Sequence, residues 1–200
     1  MENVRDHGPP HAAIVLAAGA STRLGQAKQL VEIDGEPQLR RVTRYALATR
    51  PVDCIVVLRR NAGHIEAALD GLAARILCIG DANEGMAASL RAGVAALDAR
   101  CAGALVVLTD QPALGEAHLE RMCAAWRDAP ARAVASAYAG VIGTPALLPR
   151  SWFEAVAALR GDVGARALLR ERSAQTVAIE APELARDLDV PDDLRAFDES

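Results

Sequence analysis

One lysine stands among the 22 lysines and arginines of this 200-residue chain, and it falls in the run Leu16-Ala-Ala-Gly-Ala-Ser-Thr-Arg-Leu-Gly-Gln-Ala-Lys28. Arginine offers a planar fork of five donors, whereas lysine is a compact, strongly hydrated point charge that settles among phosphate oxygens. Small residues let backbone N–H groups approach a ligand closely, and exposed N–H groups in such a loop form an anion nest. Arg23 and Lys28 would then flank the anion. The run is neither a Walker loop nor a dinucleotide fingerprint, since GxxxxGK[ST] and GxGxxG are both absent.

A second constellation is Leu108-Thr109-Asp110-Gln111-Pro112. A carboxylate there, at the end of an apolar run, would repel a phosphate unless a cation sat between them. Mg2+ suits that place, because it takes carboxylate and phosphate oxygens and keeps several waters. The alternative is that Asp110 only caps a turn or helix. Near the C-terminus, Asp187-Leu188-Asp189-Val190-Pro191-Asp192-Asp193 alternates acid with apolar residue, so that Asp187 and Asp189 share a face of an extended segment. One of them can complete the Mg2+ site, while Asp192 and Asp193 favour the start of a helix. Solvated or capping acids are the alternative there too.

These residues need a scaffold, and the apolar runs supply one. Residues 12–18, 54–58, 75–79 and 104–108 are nearly continuously apolar, which predicts strands buried on both faces. Helical patterns lie between them: one entered at Pro37 and running to 49, one over 62–72, and one marked by Met86, Leu90, Val94 and Leu97. Alternating strand and helix predicts an α/β fold, a three-layer, doubly wound, mostly parallel sheet. In the second half the pattern predicts helices over 116–128, 152–159 and 164–172, and strands over 132–138, 145–148 and 176–179. Residues 1–11, containing Gly8-Pro9-Pro10, read as a flexible tail, and 12–200 as one domain without repeats or linkers.

Composition narrows the function. A net charge of −4 argues against a nucleic-acid or membrane-surface binder, and no apolar run approaches the ~20 residues of a membrane span. The four cysteines, Cys54, Cys78, Cys101 and Cys123, form no CxxC pair and read as free thiols in a reducing cytoplasm. His7 and His11 fall in the tail, and His64 and His118 in helical stretches; none reads as catalytic.

The segments LAAGASTRLGQAK, GMAASLRAG at 85–93, LTDQPAL at 108–114, LRGDVGARALL at 159–169 and DLDVPDDL at 187–194 resemble the MobA-like nucleotidyltransferases that attach CMP or GMP to molybdopterin. The likeness runs from about residue 12 to 196 and is nearest to the molybdenum cofactor cytidylyltransferases. It implies a Rossmann-like, GT-A-like nucleotidyltransferase that uses a nucleoside triphosphate, CTP ahead of GTP, and releases pyrophosphate. It further implies that Leu16, Ala17, Ala18, Gly19 and Ser21 touch the nucleotide, that Arg23 and Lys28 hold the triphosphate, and that Gly85, Met86 and Ser89 meet base and ribose. Met86 as a core contact is the competing reading. Asp110 would hold Mg2+ with Asp189, preferred to Asp187, and Gln111, Gly143, Thr144 and Pro145 would face the acceptor.

Gly143-Thr144-Pro145-Ala146 stands where the nearest cytidylyltransferases usually carry Gly-His-Pro-Val, and Val190 where a threonine is common. The acceptor is therefore molybdopterin or another phosphorylated compound, such as methylerythritol phosphate or a sugar phosphate. A molybdenum hydroxylase apoenzyme is the expected recipient of a molybdopterin product. A non-enzymatic molybdopterin chaperone is the alternative from another class; Arg23, Lys28 and Asp110 together favour catalysis.

Overall fold

Burial on both faces is what separates the strands of this chain from its helices. In the computed structural model, which describes residues 8–19, 27–60, 62–80 and 85–186, the elements follow in order as β1 (His11–Leu16), β2 (Glu32–Ile33), β3 (Glu36–Pro37), α1 (Gln38–Ala48), β4 (Cys54–Arg59), α2 (Gly63–Glu66), β5 (Arg75–Ile79) and α3 (Gly85–Ala95). The second half continues with β6 (Gly103–Leu108), α4 (Glu116–Asp128), β7 (Ala133–Tyr138), β8 (Val141–Pro149), α5 (Phe153–Ala158), α6 (Ala165–Glu171) and β9 (Thr176–Glu180). Seven strands form one sheet in the order β5-β4-β1-β6-β8-β7-β9, while β2 and β3 make a separate hairpin. Every neighbouring pair is parallel except those made by β8, which runs against both β6 and β7.

Alternate residues of each strand feed opposite layers, as the two-residue period of a strand requires. Ala13 and Val15 of β1, Val56 and Leu58 of β4, and Leu105 and Val107 of β6 pack with Leu39 and Val42 of α1 and Leu119, Met122 and Trp126 of α4. Ile14, Ile55 and Val106, one residue out of phase, pack with Leu90 of α3, Val156 of α5 and Leu168 and Leu169 of α6. This is the expected three-layer, doubly wound architecture. Each such aliphatic side chain taken from water contributes about 1.5–3 kcal/mol, so the sheet is a firm platform for whatever its strand ends carry.

The structure departs from the sequence expectations at five places. β5 is an edge strand with Ile76 and Cys78 exposed, because apolar content alone does not distinguish an edge from a centre. The helix expected over 62–72 is one turn of α2 followed by a short 3-10 turn at Ala67–Leu69. β8 is longer than 145–148 and antiparallel, and the β2–β3 hairpin, closed by Asp34-Gly35 with positive φ at both residues, was not anticipated. His11, assigned to the tail, is instead the buried first residue of β1, its Nε2 2.9 Å from Thr49 Oγ1. Burial lowers its pKa to about 4, with Arg127 adding to the effect. No helix among the described residues is long and apolar enough to cross a membrane.

Candidate active site

In an open α/β sheet, ligands meet the carboxyl ends of the strands where the strand order reverses. Here that point lies between β1 and β6, and the segments leaving them, 17–19 and 109–111, carry the predicted residues. Gln29, 2% exposed, donates from Nε2 to the carbonyls of Ala17 at 2.7 Å and Gly19 at 3.1 Å. Arg59, on the last residue of β4, donates from Nε to the Ala18 carbonyl at 2.7 Å. Three successive carbonyls are thus tied down by side chains, which fixes the path of the loop. Neither Gln29 nor Arg59 was singled out from sequence; for Gln29 the available signal was its place beside the only lysine.

Lys28 lies on a short turn, Lys28–Leu30, that brings its Nζ 3.4 Å from Asp110 Oδ2. Both side chains are mostly covered, with exposures of 16% and 20%. The other carboxylate oxygen, Asp110 Oδ1, is buried and has no hydrogen-bond partner among the described residues. A buried oxygen bearing charge and no donor is costly unless a cation meets it. Asp110 could therefore ligate a metal through Oδ1 while Lys28 balances Oδ2, and among the described residues no hydrogen bond marks it as a cap. Among the described residues no three His, Cys, Asp or Glu cluster as a metal site. Asp187 and Asp189 lie outside the described residues, as do Ser21 and Arg23.

Gln111 is buried beside this pair. Its backbone carbonyl accepts from Gln38 Nε2 at 3.2 Å, and its own Nε2 donates to the Leu184 carbonyl at 3.3 Å. The chain entering the C-terminal acidic segment is in this way pinned next to the end of β6.

The third contributor is the start of α3. Gly85 has φ +71°, and a Cβ there would lie 2.5 Å from the backbone carbonyl of Gly161, so only glycine fits. The Ala87 N–H donates to the Gly161 carbonyl at 3.2 Å, and the Met86 N–H to Asp162 Oδ1 at 3.3 Å. A carboxylate against the first amides of a helix is electrostatically favoured, and it locks the 161–164 loop over α3. Asp162 was visible in sequence only as part of the GDVGAR run. Met86 is 39% exposed, so it is not a core contact, while Ser89 is largely buried on the next turn.

Two cavities meet here. The smaller, about 230 Å³, is lined by Leu16, Ala18, Gly19, Lys28, Gly85 and Ser89 among others. The larger, about 830 Å³, reaches Gln111, the β7–β8 hairpin and α6, and includes Thr144. Met86, Leu108, Asp110 and Asp162 belong to both. Ala17 backs the smaller cavity without lining it. Gly143 and Pro145 likewise sit behind the larger one, in an irregularity of the β7–β8 pairing where the Thr144–Pro145 bond is cis. A Cβ on Gly143 would lie 2.6 Å from Tyr138 Oη, which itself donates to the Thr144 carbonyl at 3.0 Å. His118 stands in the same support, with Nε2 2.8 Å from Ser136 Oγ; burial foremost, then Arg121, lowers its pKa. All four cysteines are free, and three are buried.

Known proteins share this architecture. The purine catabolism protein PucB of Bacillus subtilis is 30% identical over 169 residues, covering 78% of this chain and 79% of that protein. The crystal structure of Rv0371c from Mycobacterium tuberculosis superposes with a TM-score of 0.83 at 28% identity, covering 96% of this chain and 99% of that one. A structure of the same protein in complex with manganese gives 0.79 at 26% identity, covering 96% and 99%. A 4-diphosphocytidyl-2C-methyl-D-erythritol synthase from Anaerococcus prevotii, 16% identical with a TM-score of 0.74 over 96% and 98% of the two chains, shares the fold. Residues 13–177 match the MobA-like NTP transferase domain, and the chain belongs to that family of nucleotidyltransferases.

Proposed function

We propose that this protein transfers CMP from CTP, in preference to GMP from GTP, onto the terminal phosphate of molybdopterin, releasing pyrophosphate. The observation that carries the reading is Asp110, with one buried oxygen unpartnered among the described residues and the other facing Lys28, in the lining shared by two cavities. The smaller cavity takes the nucleotide and the larger one the acceptor. Asp110, with Asp189, would hold Mg2+, which when bound offsets the charge of the triphosphate and of the incoming phosphate. Manganese in the M. tuberculosis relative supports a divalent ion here.

An oxygen of the acceptor phosphate attacks the α-phosphorus and forms the new P–O bond. The bond from the α-phosphorus to its bridging oxygen breaks, and the electron pair leaves with pyrophosphate. A phosphate monoester, with a second pKa of about 6, is already largely deprotonated at neutral pH, so no general base is required. The protein's part is positioning and charge balance. Lys28 and Arg23 hold the triphosphate, Gly85 and Ser89 admit and orient base and ribose, and Gln111 and Thr144 face the acceptor.

The acceptor assignment rests on the likeness of the five ordered segments to the molybdopterin enzymes, with 159–169 on the acceptor side, and the preference for CTP on the likeness of the LAAG and GMAAS runs. The name of the Bacillus relative accords with it, since a cofactor for a molybdenum hydroxylase apoenzyme would serve purine oxidation. Incubation of the protein with each nucleoside triphosphate, Mg2+ and Mo-molybdopterin tests the whole reading. Pyrophosphate is expected with CTP above GTP and only when acceptor is present. Its absence with every triphosphate would reject the proposal.

A further inference from the structure

The β7–β8 hairpin that bounds the larger cavity carries a register slip: Ala135 lies opposite Ala146, but Ser136 lies opposite Gly143. Thr144 and Pro145 are left over, with no partner in this ladder or in the one with β6. Their carbonyls still need donors, because a carbonyl taken out of water without one is costly. Two side chains of β7 supply them. Tyr138 Oη donates to the Thr144 carbonyl at 3.0 Å, and Ser136 Oγ to the Pro145 carbonyl at 2.9 Å, a far better acceptor for that hydroxyl than Met122 Sδ at 3.7 Å.

Behind Ser136 the hydrogen bonds have a fixed direction. Arg121, three residues after His118 on α4, has only donors, so the 3.1 Å contact from its Nη2 makes His118 Nδ1 an acceptor. The neutral imidazole then carries its proton on Nε2, which donates to Ser136 Oγ at 2.8 Å and leaves the hydroxyl proton for Pro145. Burial foremost, then the Arg121 charge, lowers the pKa of His118 against the opposing pull of Glu183, which keeps the ring neutral as this order requires. The other tautomer would take the hydroxyl proton for Nε2 and strip Pro145 of its donor. His118 and Ser136 are buried and line neither cavity, so they act on the site only through the residues they hold. We propose that His118 and Ser136 are positioning residues for the acceptor: the relay Arg121–His118–Ser136 holds the Thr144–Pro145 bulge, and with it the Thr144 wall of the larger cavity, in the placement that suits the transfer. This rests on the larger cavity being the acceptor side.

The test begins with the unaltered full chain at pH 7, its histidine rings labelled with nitrogen-15: the spectrum should show His118 neutral, with its proton on Nε2. Ser136→Ala removes the donor to Pro145 and should speed hydrogen exchange of the backbone amides in 141–146 at least ~10-fold while those in 85–93 stay as they were, which separates loss of the bulge from general loosening. With CTP, Mg2+ and Mo-molybdopterin the same variant should raise the acceptor KM by ~10-fold and leave the CTP KM within about twofold. His118→Leu should move both readouts the same way by less, and His118→Gln, whose amide can accept from Arg121 and donate to Ser136, should restore them. Should Ser136→Ala not fold, the two His118 variants carry the same comparison. A proton on Nδ1, unchanged exchange in 141–146, or an acceptor KM that rises no more than the CTP KM would each overturn the inference. If Mo-molybdopterin yields no pyrophosphate at all, the proposed function fails, and the tautomer and exchange measurements decide the relay by themselves.

Discussion

The two halves of the sheet solve different problems. From β5 to β6 the strands are parallel, and a small cavity at their carboxyl ends is lined from the segments after β1 and β6 and from the start of α3, with the 17–19 segment held by Gln29 and Arg59. From β8 to β9 the pairing reverses twice and slips beside Gly143, and the cavity beyond it is several times larger and lined by residues of the β7–β8 hairpin and α6. On the proposed reading the small cavity receives a triphosphate, whose shape is constant and suits a loop held in one path. An acceptor that differs between enzymes is better met by side chains, which change without disturbing the sheet. Asp110 and Asp162 stand where the halves join, so damage there should affect both substrates, while damage to either side should affect one.

Asp110→Asn keeps the shape and removes the charge, and should lower pyrophosphate release by about 10³-fold at saturating CTP and acceptor, with the melting temperature unchanged or raised. Lys28→Arg keeps the charge but replaces a point with a fork; a loss of about 10²-fold, with the acceptor KM unmoved, would mark the nucleotide side alone. Gly143→Ala pushes a methyl toward Tyr138 Oη and should raise the acceptor KM by about 10-fold while leaving the CTP KM as it was. A rise in both constants would erase the division between the halves.

The amino end of β1, away from the site, provides the control. His11 is held neutral in the fold by a pKa lowered to about 4, against 6.5 when unfolded. Its contribution to stability is complete above pH 6.5 and is lost as the pH falls toward 4, because the unfolded chain takes up the proton first; the loss is about 3 kcal/mol. Denaturant titration across this range should show that slope, and His11→Gln should flatten it without altering turnover at pH 7.

Both halves were largely legible in the sequence as elements, and four of the five departures fall in the parallel half. Residues 54–58 and 104–108 announced buried strands through unbroken apolar runs, and Lys28 and Asp110 announced themselves by chemistry. What a local pattern cannot carry is the meeting of distant segments. Asp162 matters because it reaches Met86, 76 positions away in the chain, and Gln111 because it holds Leu184, 73 positions away. The exposure of β5 is set by strand order rather than by its own residues. The β2–β3 hairpin differs in kind, since its Asp34-Gly35 turn is a local signal that passed unread.

The central claim is attack at the α-phosphorus, at the junction of the two cavities. Its most direct measurement uses CTP carrying heavy oxygen at the bridge between the α- and β-phosphorus, with molybdopterin and Mg2+, and mass spectrometry of both products. The account predicts that the heavy oxygen leaves entirely in pyrophosphate while the acceptor gains an unlabelled CMP. Heavy oxygen retained on the nucleotide product, or pyrophosphate formed without any nucleotidylated acceptor, would contradict it.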